Sequence, residues 1–105
     1  MLKKLKKEEM RNGFLMKEVF ADGEWRIYER FNKQSGKSAY GWELIKVRVA
    51  NINPNSVMEK GLAEKGYTAK EKYPSDVDFG NYGWDFVRLE DAIEFYRKKK
   101  QESNN

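Results

Sequence analysis

The chain has 105 residues, a net charge of +4 and 14% aromatic residues. This length predicts one domain, residues 1–105. The aromatic content predicts a folded core, because each large ring removes roughly 150–250 Å² from water. Cysteine and histidine are absent, which excludes disulfides, thiolate metal sites, a Ser-His-Asp triad and the commonest general base. We therefore expect no cofactor, no metal and no enzymatic activity.

The N-terminal residues 1–7 are charged and lead into Glu8 and Glu9 rather than into an apolar stretch, so they do not predict a signal peptide. No apolar run approaches the ~20 residues that a membrane span needs. We expect a cytoplasmic protein without a membrane partner.

Charge is unevenly distributed along the chain. Residues 1–73 carry 16 basic and 10 acidic side chains, whereas residues 74–96 carry one arginine against six carboxylates. Residues 97–105 are basic again, with four cations against Glu102. Because a uniformly basic nucleic-acid binder would lack such an acidic stretch, the distribution alone does not indicate a partner.

The first predicted element is ambiguous, because residues 1–12 fit either a short helix that ends at Asn12-Gly13 or a frayed basic extension. Strands follow at 14–20 and 24–31, joined by a hairpin turn at Asp22-Gly23. After a polar loop, residues 40–50 form the next predicted strand. These three strands predict an antiparallel meander.

Residues 51–72 allow two interpretations. Ser56 and Glu59 have the spacing of a capping box, which predicts a helix over 57–65 that ends at Gly66; the alternative is an irregular hairpin around residues 64–66. A short strand at 84–89 and a helix at 90–101 follow, because Leu89, Ala92, Ile93 and Tyr96 recur at helical spacing. Residues 102–105 are expected to be disordered.

These elements predict an α+β fold in which an antiparallel sheet of three to four strands packs against the C-terminal helix. Alternation along the strands assigns their side chains to two faces. The predicted core consists of Trp25, Ile27, Ile45, Val47, Val49, Phe86, Ile93 and Tyr96. An error of one residue in register would invert this assignment.

The opposite face of the sheet is the main candidate binding surface. Rings interleaved with cations on a sheet are typical of single-stranded nucleic-acid binders, and the same residue types are enriched at protein interfaces. A solvated face without a ligand would also contain them. The candidate residues are Arg26, Tyr28, Arg30, Trp42, Lys46 and Arg48.

A second candidate is the acidic stretch that contains Asp76, Asp78 and Asp85. Its oxygen ligands suit a divalent cation, but the spacing of a calcium loop is missing, so solvated turn aspartates are the simpler interpretation. The patch could otherwise imitate phosphate for a basic partner.

Two segments echo each other, Tyr40-Gly41-Trp42-Glu43 and Tyr82-Gly83-Trp84-Asp85, and each is expected to enter a strand. Four residues are too few to define a repeat. We interpret the echo as two aromatic strand starts after glycine.

Three stretches of the sequence together resemble a known group of proteins. They are Ile27-Tyr28-Glu29-Arg30-Phe31, the run from Tyr40-Gly41-Trp42 to Arg48, and the run from Tyr73-Pro74-Ser75 through Phe79-Gly80-Asn81-Tyr82-Gly83-Trp84 to Leu89-Glu90-Asp91-Ala92. Over residues 24–96, without the segment 53–65, their order and spacing resemble small uncharacterised proteins of bacteriophages and mobile genetic elements. The resemblance implies a phage origin, but it transfers no catalytic or binding residue.

Two functional hypotheses follow. The first is a phage protein that binds a host protein complex in the host cytoplasm, as an anti-CRISPR or other anti-defence inhibitor would. The alternative is a single-stranded nucleic-acid-binding module that uses the aromatic and basic sheet face.

Overall fold

The computed structural model describes residues 1–103 and shows an α+β fold with two sheets. The strands are β1 (Leu2–Lys3), β2 (Glu8–Arg11), β3 (Phe14–Asp22), β4 (Trp25–Asn32), β5 (Ser38–Lys46), β6 (Arg48–Asn51), β7 (Ala69–Lys72) and β8 (Gly83–Phe86). The helices are α1 (Lys60–Glu64), a 3-10 turn (Asp76–Asp78) and α2 (Leu89–Ser103). The predicted class is confirmed, but the predicted sheet of three to four strands is too small, because five strands form one sheet and three strands form a second.

The large sheet has the order β2-β3-β4-β5-β8 and is antiparallel throughout. The hairpin at Asp22-Gly23 is confirmed, with Gly23 at φ +59°. The predictions for residues 1–12 were wrong, because Asn12-Gly13 joins two strands rather than ending a helix. Both residues have positive φ, +51° and +84°, which is the requirement of the tight I′ hairpin turn and the reason why Asn-Gly is favoured there.

The small sheet has the order β1-β7-β6. Strand β7 lies at its centre, parallel to β1 and antiparallel to β6. Neither β1 nor β7 was predicted, because two-residue and four-residue strands rich in lysine carry little hydrophobic alternation. The small sheet therefore depends on pairing between distant parts of the chain rather than on local propensity.

One face of the large sheet, the helix face, packs against α2. Its buried residues are Trp25, Ile27, Leu44, Ala92 and Tyr96, and Trp42, Trp84, Phe86 and Ile93 are partly buried against them. Acidic Glu90 and Asp91 occupy the first turn of α2 and Lys100 the last turn, an arrangement that suits the helix dipole. The predicted helix and its apolar stripe are confirmed.

The other face of the large sheet, the second face, is also covered. Met16, Tyr28, Ile45 and Val47 are buried there, and Leu5 and Tyr73 from the segments flanking the small sheet pack on them. Val49, predicted in the core, is 59% exposed, because it lies in β6 at the edge of the small sheet. The prediction failed because it continued one strand through residues 40–50, whereas β5 ends at Lys46 and β6 belongs to the small sheet.

Residues 51–72 contain the predicted helix in a shorter form, since α1 has five residues. Glu59 is its N-cap residue and makes no side-chain capping hydrogen bond, so the predicted capping box is absent there. Gly66 follows the helix with φ +92°, as expected of a glycine that ends a helix.

The C-terminal prediction is partly corrected. Helix α2 extends to Ser103, so residues 102 and 103 belong to it, whereas residues 104 and 105 of the expected disordered tail lie outside the described residues. Within residues 1–103, neither helix combines the length and the apolar character needed to cross a membrane.

Candidate functional site

The six residues of the predicted sheet face do not share a face. Cross-strand register pairs Ile27 with Leu44 and Tyr28 with Glu43, and directly opposed residues of an antiparallel pair lie on the same side. Trp42 and Lys46 therefore belong to the helix face, while Arg26, Tyr28 and Arg30 belong to the second face. Arg48 lies in the small sheet. Alternation within each strand was predicted correctly, but the two strands were matched with inverted faces.

Two of the predicted contact residues are held inside the protein. The Tyr28 side chain is buried, and its hydroxyl donates a hydrogen bond to the Lys6 carbonyl at 2.9 Å. Burial raises the pKa of Tyr28 to about 12. Arg26 donates from Nη1 and Nη2 to both carboxylate oxygens of Glu71, at 3.2 and 3.0 Å. Tyr28 therefore connects the large sheet to the segment between β1 and β2, and Arg26 connects it to the small sheet, instead of facing a ligand.

The three predicted aspartates separate into two environments. Asp78 accepts hydrogen bonds from the Ser75 amide and hydroxyl and pairs with Arg48 at 2.6 Å; these bonds to Ser75, together with the Arg48 charge, hold its pKa below the usual value. Asp76 and Asp85 line a cleft. Across residues 1–103, no group of three carboxylates is placed to hold a metal ion.

This cleft, on the second face, has a volume of about 640 Å³. Its floor is formed by side chains from β4, β5 and β8, one wall by the β2–β3 hairpin, and the other wall by the segment after β7. Five of its eleven lining residues are charged. The lining residues are Met10, Arg11, Asn12, Arg30, Glu43, Tyr73, Pro74, Ser75, Asp76, Phe79 and Asp85.

Glu43 is the half-buried carboxylate of the cleft floor. The Tyr73 hydroxyl donates to its Oε1 at 3.0 Å. Burial raises the pKa of Glu43, Asp85 on the neighbouring strand raises it further, and the hydrogen bond from Tyr73 acts in the opposite direction. Burial, reinforced by the Glu43 charge, also raises the pKa of Tyr73. The pair therefore places a carboxyl group that gains protons more readily than usual next to a neutral phenol.

Two arginines face these groups. The guanidinium of Arg11 lies 3.9 Å from the centroid of the Tyr73 ring, and its Nη2 is 3.1 Å from Glu9. Arg30 lies 4.0 Å from Asp85 and packs over Gly41. A Cβ at Gly41 would come within 2.2 Å of the Arg30 guanidinium. The glycine thus provides the space in which Arg30 reaches the cleft.

Sequence reasoning identified Arg30 and the aspartates of this cleft but missed Glu43, Tyr73 and Arg11. The signal that could have found Glu43 is the Tyr-Gly-Trp-acid echo. Strands β5 and β8 are neighbours, and their register places Glu43 opposite Asp85. The two echoed acidic residues therefore lie side by side in the cleft.

No family model, no curated protein and no solved structure matches this chain.

Proposed function

We propose that this chain is a non-enzymatic binding protein that uses the cleft to engage a partner protein. The observation that supports this proposal is that three charged side chains of the cleft, Glu43, Arg11 and Arg30, are already positioned by their neighbours. Tyr73 fixes Glu43, the Tyr73 ring supports Arg11, and Gly41 gives room to Arg30. Binding then requires little further loss of side-chain entropy, which is the usual advantage of a preorganised site.

The composition of the cleft favours a protein over a small organic ligand. Small-molecule pockets are mostly apolar with a few polar groups, whereas this cleft is lined largely by charged and polar residues. Tyrosine and arginine are enriched among residues that dominate binding energy at protein interfaces. Met10 on one wall is 45% exposed, and Pro74 and Phe79 line the other wall, so apolar groups flank the charged floor.

The partner segment that suits this cleft is a polar loop carrying charges of both signs. Arg11 and Arg30 offer donors for carboxylates, while Asp76 and Asp85 offer acceptors for basic side chains. Complementary charges of both signs favour specificity and correct register more than affinity.

The resemblance to phage and mobile-element proteins supplies a narrower form of the proposal. In that form the partner is a host protein complex, and the chain acts as an anti-CRISPR or other anti-defence inhibitor. Its support is the pattern of residues 24–96, which carries no chemistry of its own.

Glu43 is the residue that a catalytic interpretation would use, because general acids have raised pKa values in clefts. We propose a structural role for it instead. Its Oε1 accepts from Tyr73, whose ring supports Arg11, so the carboxylate orders the cleft wall without any proton transfer.

Affinity capture with a tagged protein tests the cleft. We expect Arg30→Met to lose a protein that the unchanged chain captures from a bacterial lysate, because the substitution removes the guanidinium but keeps most of the side-chain length. Gly41→Ala should lose the same protein, since the new methyl group displaces the guanidinium of Arg30. Mass spectrometry identifies the captured proteins.

The matched control is Lys98→Met, which removes one exposed cation from α2. It should capture the same protein as the unchanged chain. Equal capture by the Arg30 and Gly41 variants, with their thermal unfolding unchanged, would place the binding surface outside the cleft.

A further inference from the structure

The small sheet presents a basic face that is separate from the cleft. Lys3 and Lys70 are register partners across β1 and β7, and Arg48 and Lys72 are partners across β6 and β7. Lys70 and Lys72 are two residues apart in one strand, so all four side chains lie on the same side of the sheet. We call this surface, formed by Lys3, Arg48, Lys70 and Lys72, the basic face.

The opposite side of the small sheet is turned toward the large sheet. Glu71 lies between Lys70 and Lys72 in β7, and alternation directs it to that side. There it pairs with Arg26, and only 7% of its side chain is exposed. The carboxylate of β7 is therefore used inside the protein and does not neutralise the basic face.

The pairing of like charges on this face is unfavourable for folding. Like charges directly opposite each other on neighbouring strands destabilise a sheet, and Arg48 faces Lys72 in this way. None of these four cations belongs to either of the two apolar clusters in residues 1–103. Asp78 and Glu59 offset part of this repulsion, and a bound anion would relieve the remainder, so the arrangement points to an anionic ligand.

The surroundings of the basic face are also cationic. Residues 1–7, 48–51 and 59–72 contain nine lysines and arginines against three glutamates, one of which is the inward Glu71. Two carboxylates reach the face itself: Glu59 pairs with Lys70 at 2.8 Å and Asp78 with Arg48 at 2.6 Å. They position two of the four cations, and the face keeps a positive balance.

Aromatic rings accompany the cations. The guanidinium of Arg48 stacks 4.0 Å from the centroid of the Tyr82 ring, and the Lys3 ammonium lies 5.3 Å from that of Tyr67. Rings and guanidinium planes are the platforms on which unpaired bases stack. The face spans three strands, about 10 Å, which suits one sugar-phosphate chain better than the two backbones of a duplex.

From these observations we propose that the basic face binds single-stranded nucleic acid, with its four cations on backbone phosphates. The site is distinct from the cleft, so it neither requires nor excludes a protein partner there. The predicted nucleic-acid surface on the large sheet is thereby replaced by a surface on the small sheet, of which only Arg48 belonged to the original candidates.

Fluorescence anisotropy of a labelled oligothymidylate tests the proposal. Each phosphate contact in a single strand contributes about 0.7 to the slope of log affinity against log salt. Four contacts predict that the affinity falls about 50-fold between about 50 mM and 200 mM salt. A labelled duplex and vesicles containing anionic lipid are measured in parallel.

The decisive variant is the triple substitution Lys3→Gln, Lys70→Gln and Lys72→Gln. Because three contacts are lost, the fall in affinity over the same salt range should shrink to about threefold. The control is the triple substitution Arg88→Gln, Arg97→Gln and Lys98→Gln. It also removes three positive charges, one directly before α2 and two from the exposed surface of α2, and it should keep the full salt dependence.

Weaker oligothymidylate binding with a salt dependence reduced to about threefold in the first triple variant, but not in the control, supports the proposal. The proposal is overturned if the unchanged protein does not bind at the lower salt concentration or if both triple variants lose affinity equally. It is also overturned if the duplex or the vesicles bind more tightly than the single strand. Thermal unfolding of each variant confirms that the fold is retained.

Discussion

The hydrogen bond between the Tyr73 hydroxyl and the Glu43 carboxylate influences the charge of the cleft floor. The hydrogen bond between them is 3.0 Å long and favours the ionised carboxylate, in opposition to burial, which favours the protonated form. One hydroxyl group thus limits how far the pKa of Glu43 rises.

Tyr73→Phe should therefore raise the pKa of Glu43 further above its usual value, because the substitution removes the donor and leaves the burial unchanged. A carbon-13 NMR titration of the Glu43 carboxyl group measures the change. Tyr67→Phe is the control, since Tyr67 lies beside the small sheet under Lys3 and should leave the titration of Glu43 unaltered. An unchanged pKa in Tyr73→Phe would mean that the hydrogen bond does not form in solution.

The β2–β3 hairpin depends on two residues whose backbone adopts the left-handed conformation. Asn12 and Gly13 both have positive φ, a conformation that costs roughly 1–2 kcal/mol for a residue with a Cβ, and less for asparagine. By contrast, Gly61 lies in α1 without such a requirement, and a Cβ there would meet no atom.

Gly13→Ala should lower the free energy of unfolding by about 1 kcal/mol, because alanine resists the left-handed turn. Gly61→Ala should raise it by about 0.5–1 kcal/mol, because alanine favours the helix and loses less backbone freedom on folding. Chemical denaturation of the two variants measures both changes. Equal effects of the two substitutions would contradict the turn assignment.

The Asn12-Gly13 turn also shows why the N-terminal strands were missed by sequence reasoning. An Asn-Gly pair is typical both of a hairpin turn and of the end of a helix. The two can be distinguished only if residues 8–11 alternate between buried and exposed positions, as they do in a strand. Glu8 to Arg11 do alternate in the structure, but three of the four are charged, so their hydrophobicity could not show it.

The aromatic hairpin and α2 were predictable because each carries a strong local signal. Asp22-Gly23 demands a tight turn between aromatic strands, and α2 has an apolar stripe with charges that suit its dipole. The cleft was not predictable in this way. Arg11, Glu43 and Tyr73 are far apart in sequence and meet only through the strand order.

The two sheets of the protein face each other, and the Arg26–Glu71 ion pair connects them. Burial alone would raise the pKa of Glu71, but hydrogen bonds from Arg26 and from the Leu5 amide, together with the Arg26 charge, hold it below the usual 4.5. A carboxylate with a lowered pKa stabilises the folded state above its unfolded pKa. This stabilisation is lost as the pH falls below about 4.5.

Glu71→Gln should therefore lower the free energy of unfolding by about 2–3 kcal/mol at neutral pH. The difference from the unchanged protein should shrink as the pH is lowered through about 4.5. The matched control is Glu94→Gln, whose exposed pair with Lys98 lies on α2 and contributes less than about 0.5 kcal/mol. A Glu71 effect that does not change with pH would exclude a charged pair.

The pairing of β1 with β7 has a consequence for the order of folding. Leu2 pairs with Ala69 and Lys3 with Lys70, so closing this pair requires a loop of more than sixty residues. Contacts between distant residues form slowly, because the loop entropy is lost before they contribute stability. The hairpins of the large sheet involve only neighbouring segments and should form early. We therefore expect amide hydrogens of β1 and β7 to exchange with solvent before those of β4 and β5, so that the basic face assembles last and opens first.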